Sequence, residues 1–72
     1  MNKEEFLEEL KEIMMLDDTP AASTDLAELQ EFDSMTHITL LGVFEQEFQK
    51  QIEVEDLANL KTVADLIALA GL

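Results

Sequence analysis

The chain has no cysteine and no arginine, and a single histidine, in 72 residues. Without cysteine there is no disulfide framework, no thiolate nucleophile and no thiolate metal site. With one histidine besides, most nucleophilic dyads and zinc sites cannot be assembled. A private catalytic centre is therefore not expected, and the protein is read as a non-enzyme with no metal site. Long apolar runs are missing too. None approaches the roughly 20 residues of a membrane span, and "MNKEEFLEEL" lacks the apolar segment of a signal peptide. A soluble, cytoplasmic protein is the expectation. Positive charge is scarce: four lysines face 17 acidic residues, for a net charge of −13. Such a surface repels nucleic acid and anionic membranes and favours basic protein partners. Disorder does not follow from the acidity, because 47% of the residues are apolar.

What is present is helical spacing. Over residues 3–16, Phe6, Leu7, Leu10, Ile13 and Met14 fall on one face, with Glu4, Glu5, Glu8, Glu9 and Glu12 opposite. "DDTPAAST" ends that helix at Pro20 and a run of small polar residues. A long connection follows to Asp33, with Leu26, Leu29 and Phe32 spaced by three, as in a turn or short helix pinned to a core. The pattern predicts a second, central helix over Ser34–Lys50 that buries Ile38, Leu40, Leu41, Phe44 and Phe48. "QIEVEDL" reads as an extended link, and Glu55–Leu60 as one or two helical turns. Thr62 and Asp65 resemble a capping box ahead of the stripe Val63, Leu66, Ile67 and Ala70, which Gly71 ends. No strand pattern is present. The expected fold is all-α: a single domain over 1–72, a four-helix bundle with a long loop after helix one and a short third helix. A chain this small buries roughly 60% of the surface its unfolded form exposes, so its core is limited.

The stretch "FDSMTH" stands where the central helix begins. Either Asp33 or Ser34 can cap the free N–H groups there, worth about 1 kcal/mol. The serine hydroxyl can also be an attachment point. Helical phase places Met35 and Val43 away from the buried face, on the side of Thr39, Gly42 and Gln46. Gly42 costs about 1 kcal/mol relative to alanine in mid-helix. One use for it is to let another surface approach closely. His37 falls on the buried side of the first turn and reads as a packing or hydrogen-bonding residue, since nothing nearby completes a dyad. The carboxylates show no isolated acid–base pair. "DDTPAASTD" lacks the alternating oxygen ligands and central glycine of an EF-hand.

Taken together these features resemble the acyl carrier proteins, including the carrier domains of polyketide and nonribosomal peptide assembly. The resemblance runs from the acidic first helix through "DSM" and "FEQEF" to "LANLKTVADLIALAG". It implies a 4′-phosphopantetheine arm on Ser34, with Asp33 as the adjacent motif aspartate and Met35 as a partner contact. It also implies partners: a phosphopantetheinyl transferase, and acyl-loading and acyl-transferring enzymes with basic patches. Met35, Thr36, Thr39, Gly42, Val43, Glu45 and Gln46 form the expected docking face of a monomeric carrier.

Four positions depart from the fatty-acid carriers. Glu31 stands three residues before the serine, where many of them have glycine. Thr36 and Thr39 occupy positions that are acidic in them, and Gly42 replaces a bulkier apolar residue. "FDSMTH" is similar to carriers that serve a dedicated pathway. Two alternatives stand beside the acyl carrier: an aminoacyl or peptidyl carrier, and an acidic helical adaptor in which Ser34 is a cap only.

Overall fold

A computed structural model describes residues 1–72. Four helices follow one another without a strand: α1 (Lys3–Met14), α2 (Ser34–Phe48), α3 (Val54–Ala58) and α4 (Val63–Ala70). A 3₁₀ turn at Leu26–Glu28 interrupts the long loop, where the three-residue spacing placed a pinned turn. The all-helical architecture expected from the sequence is the one observed.

Each helix boundary has a local cause. At the start of α1, the Glu5 N–H donates to Asn2 Oδ1 at 2.8 Å and the Asn2 N–H donates to Glu5 Oε1 at 3.0 Å. This reciprocal box satisfies donors that the helix leaves free. α1 ends at Met14, short of the expected residue 16, because Met15 turns left-handed (φ 55°). α2 likewise stops at Phe48 rather than Lys50, with Gln49 left-handed at φ 52°. α3 starts one residue earlier than expected, where the Glu53 N–H donates to Asp56 Oδ2 at 2.8 Å, and ends at Ala58. The box read from Thr62 and Asp65 opens α4, and Gly71 (φ 81°) ends it.

Eleven buried apolar residues form one core. α1 contributes Phe6, Leu10 and Met14, and α4 contributes Val63, Leu66, Ile67 and Ala70. α2 packs against both α1 and α3, which makes it the central element. Phe6, Phe44 and Phe48 meet edge to face, with centroids 5.4–6.0 Å apart, and join α1 to α2. At the far end, Lys50 Nζ donates to the Leu69 carbonyl at 2.9 Å, placing a cation at the C-terminus of α4.

The burial of α2 differs from the expected face. Leu40 and Phe44 are buried and Leu41 and Phe48 half-buried, as predicted, but Ile38 is 65% exposed. Ile38 lies about 120° round the helix from Phe44. The stripe that reaches the core runs through Thr36, Leu40 and Phe44 instead.

The long loop is held by backbone pairing that hydropathy does not announce. The Leu26 N–H donates to Lys61 O (2.8 Å), Val63 N–H to Thr24 O (3.0 Å) and Ala64 N–H to Ala22 O (2.8 Å). Two of these donors belong to the first turn of α4, so the loop satisfies groups that the helix itself cannot. The pairing fixes the 3₁₀ turn beside α3 and α4, and from there the chain enters α2.

Concentrated negative charge acts against this compact state. The thermal midpoint is expected to rise with ionic strength, and further with millimolar magnesium. No three His, Cys, Asp or Glu side chains are grouped to hold an ion, so the magnesium response should be graded. A midpoint indifferent to salt, or a tight single-site isotherm, would contradict this.

Candidate functional site

The site is built from the last residues of the loop and the first turn of α2. Asp33 is the N-cap, in extended conformation, and its Oδ1 accepts the Thr36 N–H at 3.0 Å. The His37 N–H donates to the Asp33 carbonyl at 3.0 Å. Thr36 closes the arrangement: its hydroxyl donates to the Glu31 carbonyl at 2.6 Å, tying the loop back onto the helix. Phe32 packs edge to face on His37, with centroids 4.6 Å apart. One turn of backbone is thus held by a carboxylate, a hydroxyl and an aromatic pair.

These contacts settle which residue caps the helix. Asp33 does, and Ser34 occupies the first helical position, exposed, with no side-chain hydrogen bond. The reading of Ser34 as a cap does not stand. Its hydroxyl is presented to solvent beside the free N–H groups of a helix start, where the positive end of the dipole favours an anionic substituent.

The N–H of Thr36 is the main reason that the Asp33 carboxyl lies below the usual carboxylate range, with the Met35 N–H adding to it against a smaller opposing desolvation. Asp65 is lowered in the same way by the N–H groups of Lys61 and Thr62. For Asp33 the folded-state pKa lies below the unfolded one. Its stabilisation is therefore complete above the unfolded value and lost as pH falls through the folded one. Asp33→Ala is expected to lower stability at neutral pH, and that deficit should shrink once both chains are measured in acid below the carboxylate range. Chemical denaturation of both proteins across acid pH checks this. A deficit that stays constant with pH would show that the charge of Asp33 plays no part.

Of the proposed docking residues, Met35 (77% exposed), Thr39, Gly42, Glu45 and Gln46 are on the open side of α2. Thr36 is not: it is 5% exposed, and its hydroxyl is engaged with the Glu31 carbonyl of the loop. Val43 is half-buried, at the margin of the face. Ile38 belongs to the open side, and sequence reasoning missed it. Its position three residues after Met35, on one helical face, was the available signal. A Cβ added at Gly42 would meet nothing within 4 Å, so the fold itself has no need of glycine there.

The family described as "phosphopantetheine attachment site" matches residues 4–70. Among curated proteins and among solved structures, none matches. The match takes in all four helices, the loop and the exposed serine at the head of α2. The chain therefore belongs to the phosphopantetheine-attachment family and is a carrier protein for a 4′-phosphopantetheine prosthetic group.

Proposed function

We propose that the protein is an acyl carrier whose arm is esterified to Ser34, serving fatty-acid-like or polyketide-like synthesis in a dedicated pathway. The supporting observation is the division of labour at the head of α2. Asp33 does the capping, which leaves the Ser34 hydroxyl exposed and unengaged. Loading by a transferase joins the Ser34 oxygen to the phosphate of phosphopantetheine and breaks the diphosphate bond of coenzyme A. Adenosine 3′,5′-bisphosphate leaves, and the hydroxyl proton passes to a base of the transferase. Once attached, the arm supplies a terminal thiol for thioesters, a group that this cysteine-free chain lacks. Asp33 and Thr36 keep the serine at a fixed helical position, and the helix start favours the new phosphodiester charge. Incubation with coenzyme A and a phosphopantetheinyl transferase, followed by peptide mass spectrometry, tests the assignment. A mass gain of one arm on the peptide containing Ser34 is expected. An unmodified chain would reject it.

The docking face has an unusual charge pattern. From Ser34 to Phe44 there is no carboxylate, although the chain carries 17; Glu31 and Asp33 precede this run, and Glu45 and Glu47 follow it. Exposed Met35 and Ile38 lie within it. Partner enzymes then meet an apolar strip flanked by negative charge, so basic patches steer the encounter while apolar contact holds it. Gly42 sits between the two regions. Gly42→Ala is expected to stabilise the protein by about 1 kcal/mol, the usual helix preference, because the added methyl has open space. If a partner approaches the backbone there, the same variant loads or transfers more slowly. A variant both more stable and equally fast would remove Gly42 from the docking surface.

A further inference from the structure

An apolar groove of about 310 Å³ is walled by the 3₁₀ turn, the end of the loop, the first turn of α2 and the end of α3. Leu26, Leu29, Phe32 and Leu60 are among its lining residues, and His37 is the one that is not hydrophobic. The Nε2 atom of His37 is buried and has no hydrogen-bond partner, and no other buried side-chain nitrogen or oxygen in the protein is in that state. Buried polar groups are nearly always paired, with protein, with water or with a bound group, so this nitrogen calls for a partner. Catalysis does not account for it, because no acid, base or nucleophile pairs with this ring. The aromatic contact with Phe32 positions the imidazole without satisfying its nitrogen.

His37 follows Ser34 by three residues, and side chains at that spacing on a helix are neighbours, with Cβ atoms about 5–6 Å apart. Whatever is esterified to Ser34 therefore begins next to this groove. The phosphopantetheine arm has a matching order of groups. A carbon with two methyl groups comes a few bonds beyond the phosphate, followed by a secondary hydroxyl and then an amide. The methyl groups suit the apolar wall, and the hydroxyl or amide suits a lone imidazole nitrogen.

We propose that His37 and this groove hold the root of the arm: Nε2 hydrogen-bonds the hydroxyl or first amide of the pantetheine, and its paired methyl groups lie against Phe32 and Leu29. This rests on attachment at Ser34. Held in this way, the arm leaves the helix in a restricted direction instead of sweeping freely, while its thiol end stays in solvent. His37 is then a positioning residue for the prosthetic group, with Phe32 setting the angle of its ring.

The single histidine makes the test direct. Apo and holo forms of the full chain are compared at one fixed pH by long-range nitrogen–proton NMR of the imidazole. Mass spectrometry confirms the arm on Ser34 in the holo sample. The Nε2 resonance is expected to shift on loading, and the arm's methyl signals to move upfield of those of free pantetheine, through the ring currents of Phe32 and His37. His37→Phe keeps an aromatic ring against Phe32 and removes the nitrogen; in the holo variant the methyl signals should return towards the free values. His37→Gln, which restores a polar group, should recover part of the shift. An unmoved Nε2 in a sample shown to be loaded would overturn the proposal and leave attachment at Ser34 intact. Methyl shifts unchanged in His37→Phe would also overturn it. An arm found elsewhere in the chain would defeat the attachment reading and this proposal together.

Discussion

Ser34→Ala is expected to abolish loading of the arm while leaving the helical fold in place. The loss should be complete, because the alanine variant offers no oxygen to the transferase and the chain has no cysteine to substitute. The structural cost should be small, within about 0.5 kcal/mol as for ordinary surface substitutions. Ser34 is exposed and its side chain makes no hydrogen bond, and alanine is the better helix former. The cap remains with Asp33. Asp33→Ala should show the reverse: weaker folding with the acceptor hydroxyl still present. Mass spectrometry after incubation with transferase and coenzyme A, together with denaturation curves for both variants, checks the pair. Loading of Ser34→Ala would place the attachment site elsewhere. Its global unfolding would make the serine structural.

The contrast between these two neighbours shows what the sequence could and could not convey. Helix order, the capping box at Thr62 and Asp65, the stop at Gly71 and the α4 stripe were all legible, because each depends on residues within a few positions of one another. The choice between Asp33 and Ser34 as cap was not legible, since both side chains suit it. Backbone geometry decided it by placing Asp33 in the extended region with its carboxylate on the Thr36 N–H. Long-range pairing was also hidden. The bonds from Leu26, Val63 and Ala64 join parts of the chain 35–42 residues apart, and they involve main-chain atoms that any residue supplies. Thr36 and Ile38 were misplaced for one reason. A polar residue was assigned to solvent and an apolar one to the core, but a hydroxyl that finds a carbonyl is readily buried, and single exposed aliphatics are common.

The misplacement at Thr36 changes what can be asked of the docking face. General fatty-acid carriers resemble this chain but have acidic residues at the positions of Thr36 and Thr39, so adding both charges is the obvious way to broaden its partners. The two sites should respond in opposite ways. Thr39 is exposed, and its hydroxyl donates only to the Met35 carbonyl of its own helix, at 3.0 Å. Thr39→Glu should alter stability little and raise the rate with an elongating synthase that has a basic docking patch, and added salt should erase the gain. Thr36 is 5% exposed and gives its hydrogen to the Glu31 carbonyl. Aspartate there brings an ionised group with no hydrogen to donate against that carbonyl, with the Asp33 carboxylate nearby. An uncompensated buried charge costs about 3–5 kcal/mol, a large part of the roughly 4–11 kcal/mol available to a domain of this size. Thr36→Asp should therefore unfold much of the population at moderate temperature and lower the synthase rate. Thr36→Val, which keeps the shape and loses only the bond, should cost about 1 kcal/mol. Denaturation midpoints for the three variants, with synthase rates at low and high salt, separate the cases. A stable, faster Thr36→Asp protein would mean that position 36 is open to partners after all, and that the tie from loop to helix does not hold the site together.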